Sequence, residues 1–221
     1  MDFDQAIQER HSVRQYKEDK IEGEVLDKLQ AEISKVNEES GMRIQLILDE
    51  PKAFGGMMLK GLMKFKNAVN YISIIGSESD DLNEKAGYYG EHLVLFAQTL
   101  GLNTCWVMMA GKKEANKFAE NGYRTVISIS VGYGEWQGKP HSSKPIQEFA
   151  DIDGAPEWFI KGVECAMLAP TGLNKQGFKF ERDDDKVRII SGRSTLSMID
   201  RGIAKYHFEY GAGKDNFTWI E

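Results

Sequence analysis

The chain has 221 residues, 41% of them hydrophobic and 28% charged, with 34 acidic against 28 basic side chains and a formal charge of −6. That composition is ordinary for a globular protein and leaves room for one large domain or two small intertwined halves around a sizeable core. The acidic balance argues against nucleic-acid binding, no run reaches the roughly 18 apolar residues of a membrane span, and two cysteines without CxxC spacing lack the zinc and iron–sulfur signatures. The polar start "MDFDQAIQERH" is unlike a signal peptide, and Cys105 and Cys165 stand alone, so a cytoplasmic location without disulfides is expected.

Helical and strand periods alternate along the chain. Residues 2–9 predict a short helix carrying Phe3 and Ile7. Val25, Leu26, Leu29, Ile33 and Val36 mark one face of a second helix, followed by a strand over 43–48. The Met-rich stretch 55–67 predicts a helical core or lid segment able to line a hydrophobic pocket, and "YISII" (71–75) predicts a strand. Leu82, Ala86, Tyr89, Leu93, Phe96 and Leu100 form the clearest helical stripe, which Gly101 ends. A strand over 104–109, a short helix near 113–120 and an apolar strand over 126–134 follow. Residues 137–149 are loop-like. A helix begins at "GAPEW" (154–158) and reaches about Leu168, after which "APTGLNKQGFKF" leads from a loop into a strand. "DDDK" (183–186) makes a hairpin turn before "VRII". The last helix presents Leu196, Ile199, Ile203, Tyr206 and Tyr210.

The order helix–strand–helix–strand occurs twice. Gly90 and Gly101 are spaced like Gly202 and Gly213, and each pair leads to a tryptophan, Trp106 or Trp219. Chance similarity of amphipathic helices and an internal duplication both account for this.

Three stretches carry candidate binding groups. In "RHSVRQY" (10–16), Arg10, Ser12 and Arg14 alternate. An extended backbone projects them to one side, where two guanidiniums and a hydroxyl suit a phosphate-bearing ligand. The alternative is a solvated loop with ion pairs to Glu9, Glu18 and Asp19. His141, Ser142, Ser143 and Lys144 supply donors after a strand, and Thr171, Asn174 and Gln176 cluster where a helix ends. Asn and Gln amides match a pyrimidine edge, although capping and surface polarity explain such residues equally. Cys105 and Cys165 lie in apolar runs and read as buried filler. No HExxH, GxGxxG or P-loop occurs, and "GYGEWQG" has the wrong spacing for either glycine motif.

Together these stretches resemble the FMN-dependent nitroreductase family. "RHSVRQY" resembles its Arg-[Arg/His]-Ser-x-Arg-x-[Phe/Tyr] signature, "HLVLFAQTLGLNTCW" (92–106) its long helix and strand entry, "VGYGEW…SSKP" (131–145) its Gly-Tyr turn and basic loop, and "APTGLNKQ" (169–176) its Ala-Pro-Ser loop. The order departs from the family's, because the Ala-Pro-Thr loop follows the Gly-Tyr turn. "NEESGMRIQ" stands where that loop is expected, without its Pro or its amides.

The resemblance implies an α+β fold. It would have nitroreductase-like three-layer α/β/α architecture, a mostly antiparallel central sheet and two halves, residues 1–150 and 151–221. One chain would then mimic part of the family dimer and build one flavin site between its halves. By position, Arg10 and Ser12 bind the FMN phosphate with Lys144 and Ser143, and His11 sits beside them and fixes the loop. Arg14 approaches the pyrimidine end of the ring, Thr171 and Asn174 complete the site, and the backbone of Met109, Ala110 and Gly111 passes near the ring. The implied activity is NAD(P)H oxidation through FMN, with NADH or NADPH as a transient co-substrate and a nitroaromatic, quinone or similar acceptor. The flavin performs the chemistry, no metal takes part, and no catalytic side-chain acid is implied. A non-catalytic flavin-binding, storage or sensing protein is the alternative, and both a monomer and a homodimer are compatible.

Overall fold

The computed structural model describes residues 1–54, 65–108 and 122–220. The predicted helix near 113–120 and most of the predicted helix at 55–67 therefore lie outside the described residues. The chain divides into two compact units, one made of Met1–Leu82 and His92–Pro140, the other of Asn83–Glu91 and His141–Glu221.

In the first unit, α1 (Phe3–Glu9) starts at Asp2, whose side chain accepts the Gln5 N–H at 2.9 Å. Helix α2 (Gly23–Ser40) buries Leu29, Ile33 and Val36 and ends at Gly41 in the left-handed region, φ 70°. Asn37 in its last turn pairs with the backbone of Ile44. The Asn37 amide donates to the Ile44 carbonyl at 2.9 Å and accepts its N–H at 2.7 Å, which aims the chain into β1 (Gln45–Ile47). With β2 (Tyr71–Ser77), β3 (Asn103–Val107) and β4 (Tyr123–Gly132) it forms a sheet of order β1-β2-β4-β3, antiparallel throughout. Register puts Ile72 and Ile74 opposite Ile129 and Ile127 on one face, and Tyr71 and Ser73 opposite Ser130 and Ser128 on the other. Both faces are buried.

Helix α3 (Leu82–Thr99) runs through the unit boundary, with Asn83–Glu91 in the second unit and His92 onward in the first. Gly101 follows it at φ 80°, the stop that the sequence predicts.

The second unit contains α4 (Glu157–Ala166), β5 (Phe178–Asp183), β6 (Lys186–Ser191), α5 (Thr195–Ala212) and β7 (Thr218–Trp219). Strands β5 and β6 form the predicted hairpin, turning at Asp184 with φ 51°. β7, too short to show a period in sequence, adds to β6 in parallel. Phe178, Phe180, Val187 and Ile189 point inward while Lys179, Glu181 and Arg188 face water, so this sheet is covered on one side. The covering layer includes Phe159 and Phe208, the latter stacked on Phe180 with ring centroids 4.5 Å apart.

The α+β, mostly antiparallel character expected from sequence is present, with the described strands gathered into two sheets. The buried face of α5 differs from the predicted stripe. Ile199 and Ile203 are buried, but the rest of the face is Asp200, Gly202, Ala204, His207, Phe208 and Ala212, whereas Tyr210 is exposed. The helix is contacted on several sides, so its small residues, invisible to a hydrophobic stripe, face its neighbours. Gly202 meets the Glu84 backbone of α3 and Gly211 meets Lys161 and Cys165 of α4.

Candidate functional site

The segment after α1 is extended without joining a regular ladder. Arg10 leaves the helix at φ −68°, ψ 116°, its N–H bonded to the Ala6 carbonyl. Ser12 then bridges Thr104 on the free edge of β3, and the Val13 N–H donates to the Thr104 carbonyl at 2.9 Å. Further along, Tyr16 N–H donates to Lys66, Lys66 N–H to Arg14, and Glu135 N–H to Gln15. These backbone bonds hold residues 12–17 from three directions.

Val13 and Tyr16 anchor the segment in a buried cluster with Ala53, Phe54, Ala68, Tyr71 and Val107. The Tyr16 hydroxyl donates to the Val13 carbonyl at 2.7 Å and lies 2.7 Å from Ser130 Oγ. Burial pushes its pKa far above the usual phenol range. At residue 11, Gly138 comes so close that an added Cβ would meet His11 Cβ at 2.6 Å, and its φ of 80° also calls for glycine. The scaffold thus presents Arg10, His11, Ser12 and Arg14 on a fixed backbone. Arg10 is only 4% exposed, so the solvated-loop reading fails for it. The Nε of Arg14 is buried and makes no hydrogen bond.

The second unit assembles the other candidates into one hydrogen-bonded loop pair. Gln176 is its organiser. Its side-chain oxygen accepts the Lys144 N–H at 3.0 Å, and its Nε2 donates to the Ser142 carbonyl at 2.8 Å and to Asn174 Oδ1 at 2.9 Å. Asn174 Nδ2 donates to Ser142, and Thr171 Oγ1 accepts the Gln176 N–H. Lys144 Nζ donates to the Gln176 carbonyl at 3.4 Å and lies 3.8 Å from Glu148. His141 Nε2 and Ser143 Oγ converge on the Met167 carbonyl. Asn174 therefore spends its carbonyl and one N–H within the loop, leaving one N–H that these bonds do not use.

Leu173, Asn174 and Gln176 all sit at positive φ, 57°, 53° and 48°. Such clustering marks a loop whose shape is imposed by its bonds. It leaves Leu173 78% exposed. The Gly172 N–H is held at 2.9 Å by Asp200 of α5. Burial pushes the Asp200 carboxyl up to about 6, against the Gly172 N–H and Lys175, which pull it down.

Arg10, His11, Ser12 and Arg14 are thus brought together in the first unit, and Ser143, Lys144, Thr171 and Asn174 in the second. Met109, Ala110 and Gly111 lie outside the described residues. Sequence reasoning missed Asp200, Tyr16, Ser130 and the organising part of Gln176. Tyr16 alone left a signal, as the aromatic end of the Arg-Ser signature. Among the described residues no group of histidine, cysteine and acidic side chains could hold a metal, both cysteines are free, and no helix is long and apolar enough to cross a membrane.

Comparison with solved structures finds the same fold repeatedly. A "putative nitroreductase" from Thermotoga maritima superposes with a TM-score of 0.70 at 25% identity, over 97% of this chain and 85% of that one. A "putative nitroreductase in complex with FMN" from Desulfovibrio desulfuricans gives 0.52 at 18% identity, over 67% and 94%. A "putative NAD(P)H:FMN oxidoreductase" from Staphylococcus epidermidis gives 0.54 at 16%, over 66% and 93%. The last two, at such identities, show the fold alone. No curated protein matches. Residues 2–212 match the family described as "Putative TM nitroreductase", so nearly the whole chain is accounted for and this protein belongs to the nitroreductase family.

Proposed function

We propose that this chain is an FMN-dependent oxidoreductase that takes hydride from NADH or NADPH and passes it to a nitroaromatic, a quinone or a similar acceptor. Arg14 carries the reading. Its Nε is buried without a partner, and no carboxylate among the described residues pairs with its guanidinium. A partly buried cation lacking a counter-charge suits an anionic ligand. Arg10, His11 and Ser12 beside it supply the donors that a phosphate takes, and arginine's planar fork suits that task. Ser143, Lys144, Thr171 and Asn174 are proposed to serve the same cofactor, as are Met109, Ala110 and Gly111. The relatives named for FMN, from D. desulfuricans and S. epidermidis, support this choice of cofactor.

FMN, when bound, supplies the two-electron chemistry. The protein's part is to bind, orient and bias. A fixed guanidinium at the pyrimidine end stabilises the negative charge that builds there on reduction, and so favours the reduced state. Arg10 and Ser12 anchor the cofactor away from that charge.

The repeat seen in sequence is part of the same proposal. The orders α2–β1–β2–α3–β3 and α4–β5–β6–α5–β7 coincide, α3 and α5 both have 18 residues, and each is followed by a positive-φ glycine. This supports two related halves, residues 1–150 and 151–221, with β4 as the strand that lacks a counterpart in the second.

The visible spectrum of purified protein, with and without added FMN, tests the cofactor. Anaerobic bleaching by NADH or NADPH, reversed by a nitroaromatic, tests the reaction. Arg14→Ala should weaken FMN binding far more than Arg43→Ala, since Arg43 lies over the Tyr123 ring at 3.9 Å. Equal effects would refute the assigned site.

A further inference from the structure

We infer that Gln176 is a positioning residue of the cofactor site, its buried amide holding Lys144 and Asn174 in place for the flavin. The inference rests on the FMN reading and deepens it.

Gln176 is almost wholly buried, and each of its polar groups is spent inside the protein. Its backbone N–H goes to Thr171 Oγ1 at 3.0 Å, and its backbone carbonyl takes Lys144 Nζ at 3.4 Å. Its side-chain oxygen takes the Lys144 N–H, and Nε2 gives its two protons to the Ser142 carbonyl and to Asn174 Oδ1. A residue engaged in this way has no donor left for a ligand, so its part in binding passes through the residues it holds.

Those residues need holding. Among the described residues, no backbone-to-backbone hydrogen bond involves Ser142, Ser143 or Lys144, so side chains set the path of that stretch. The Gln176 amide supplies bonds to it from across 32 and 34 residues of sequence. Lys144 is partly buried and Asn174 is exposed. Left loose, each would lose conformational freedom on meeting the cofactor, and ordering them beforehand removes that cost from binding.

The position calls for an amide in particular. A carboxylate would accept the Lys144 N–H but set an oxygen against the Ser142 carbonyl and Asn174 Oδ1. Asn174 cannot turn its amide over in response, because its Nδ2 already donates to the same Ser142 carbonyl. Both ends of the Gln176 amide are therefore in use, and neither an acid nor an apolar side chain replaces it.

Two variants separate the amide from its packing. Gln176→Met keeps the length of the side chain and should weaken FMN binding about tenfold, as loss of one or two hydrogen bonds does. In the apoprotein, its Lys144 amide should exchange with solvent about tenfold faster than in wild type. Gln176→Glu keeps the acceptor and loses the donors while it is ionised. Facing carbonyl oxygens, it holds its proton to higher pH than an ordinary carboxyl and donates again once protonated. Its FMN affinity relative to wild type should therefore rise as pH falls from about 8 to about 5. The charged groups nearby, Lys144, Glu148, Lys175 and Asp200, are common to both proteins, so the ratio isolates residue 176. Gln147→Met changes an exposed amide close by and should bind FMN as wild type does.

Wild-type affinity or wild-type Lys144 exchange in Gln176→Met would overturn the inference and leave the flavin reading standing. So would a relative affinity of Gln176→Glu that does not change with pH, which would make the role one of packing. If wild type binds no FMN, the flavin reading falls and the positioning role falls with it, whatever the exchange rates show.

Discussion

Substituting Gly202 by alanine should destabilise the protein, although helix propensity taken alone predicts the reverse. In an open helix Gly→Ala gains about 1 kcal/mol. Here a Cβ on Gly202 would lie 2.0 Å from the Glu84 carbonyl oxygen and 2.8 Å from the Tyr88 nitrogen. The crossing is reciprocal, because a Cβ on Gly87 would lie 2.0 Å from the Ile199 carbonyl oxygen. Both obstacles are backbone, so no side chain can rotate away, and α3 and α5 must separate. Overpacking of this kind costs about 3 kcal/mol or somewhat more. Set against the propensity gain, a net loss of about 2 kcal/mol remains, or about 4–8 °C in Tm for a chain of this length.

The shift also reaches the loop at 171–176, since α5 carries Asp200, which holds Gly172, and Leu196, which packs against it. Thermal unfolding of Gly202→Ala and Gly87→Ala beside Gly177→Ala gives the measurement. An added Cβ at Gly177 meets nothing within 4 Å, so that control should be neutral. The double variant should cost less than the sum, because one separation accommodates both methyls. A Gly202→Ala protein as stable as wild type would refute backbone contact between these helices.

Two further expectations concern pH. Folding raises the Asp200 pKa from 3.8 to about 6, so the ionised form is disfavoured in the native state and wild-type stability should fall as pH rises from 4 through 6. At about 1.4 kcal/mol per tenfold change in proton affinity, the loss is at most about 3 kcal/mol. Asp200→Asn, which still accepts the Gly172 N–H, should lack this slope and exceed wild type at pH 7.5 in urea unfolding; parallel curves would show that Asp200 is not the titrating group.

His207 is wholly buried, its Nε2 2.9 Å from Glu91 and its Nδ1 3.2 Å from the Cys165 carbonyl. Burial pulls its pKa down, but hydrogen bonding with Cys165 and Glu91 outweighs that and raises it from 6.5 to about 9. Its contribution is therefore complete below pH 6.5 and is lost as pH rises through about 9. Glu91→Gln should be less stable by about 3 kcal/mol at pH 7, as a broken buried pair is, and flatter between pH 7 and 9.5; unchanged stability at pH 7 would exclude a charged pair.

What could be read from sequence followed from local rules. Gly101 stopped α3 where predicted because a left-handed cap needs no tertiary help. The alternation of Arg10, Ser12 and Arg14 identified the first candidate segment, since an extended backbone fixes side-chain direction within two residues. What failed depended on contacts made at a distance. Within the apolar strand expected over 126–134, nothing singled out Ser128 and Ser130, yet they are as buried as Ile127 and Ile129, because the serine face of the sheet is covered too. On α5, a search for large apolar residues could not find a face built from Gly202, Ala204 and Ala212.

These failures share a cause that bears on function. A binding segment must keep polar groups unsatisfied by the protein itself, which costs stability unless neighbouring structure holds them in place. Here residues 12–17 receive backbone bonds from Thr104, Lys66, Tyr133 and Glu135, more than a loop needs to follow its path. The surplus restraint lets Arg14 remain partly buried with an unbonded Nε without swinging into solvent. Loosening any one restraint should therefore reduce anion affinity before it reduces Tm. Tyr16→Phe keeps the buried ring and removes only the hydroxyl that bonds Val13 and Ser130, so it is the substitution in which the two effects should part.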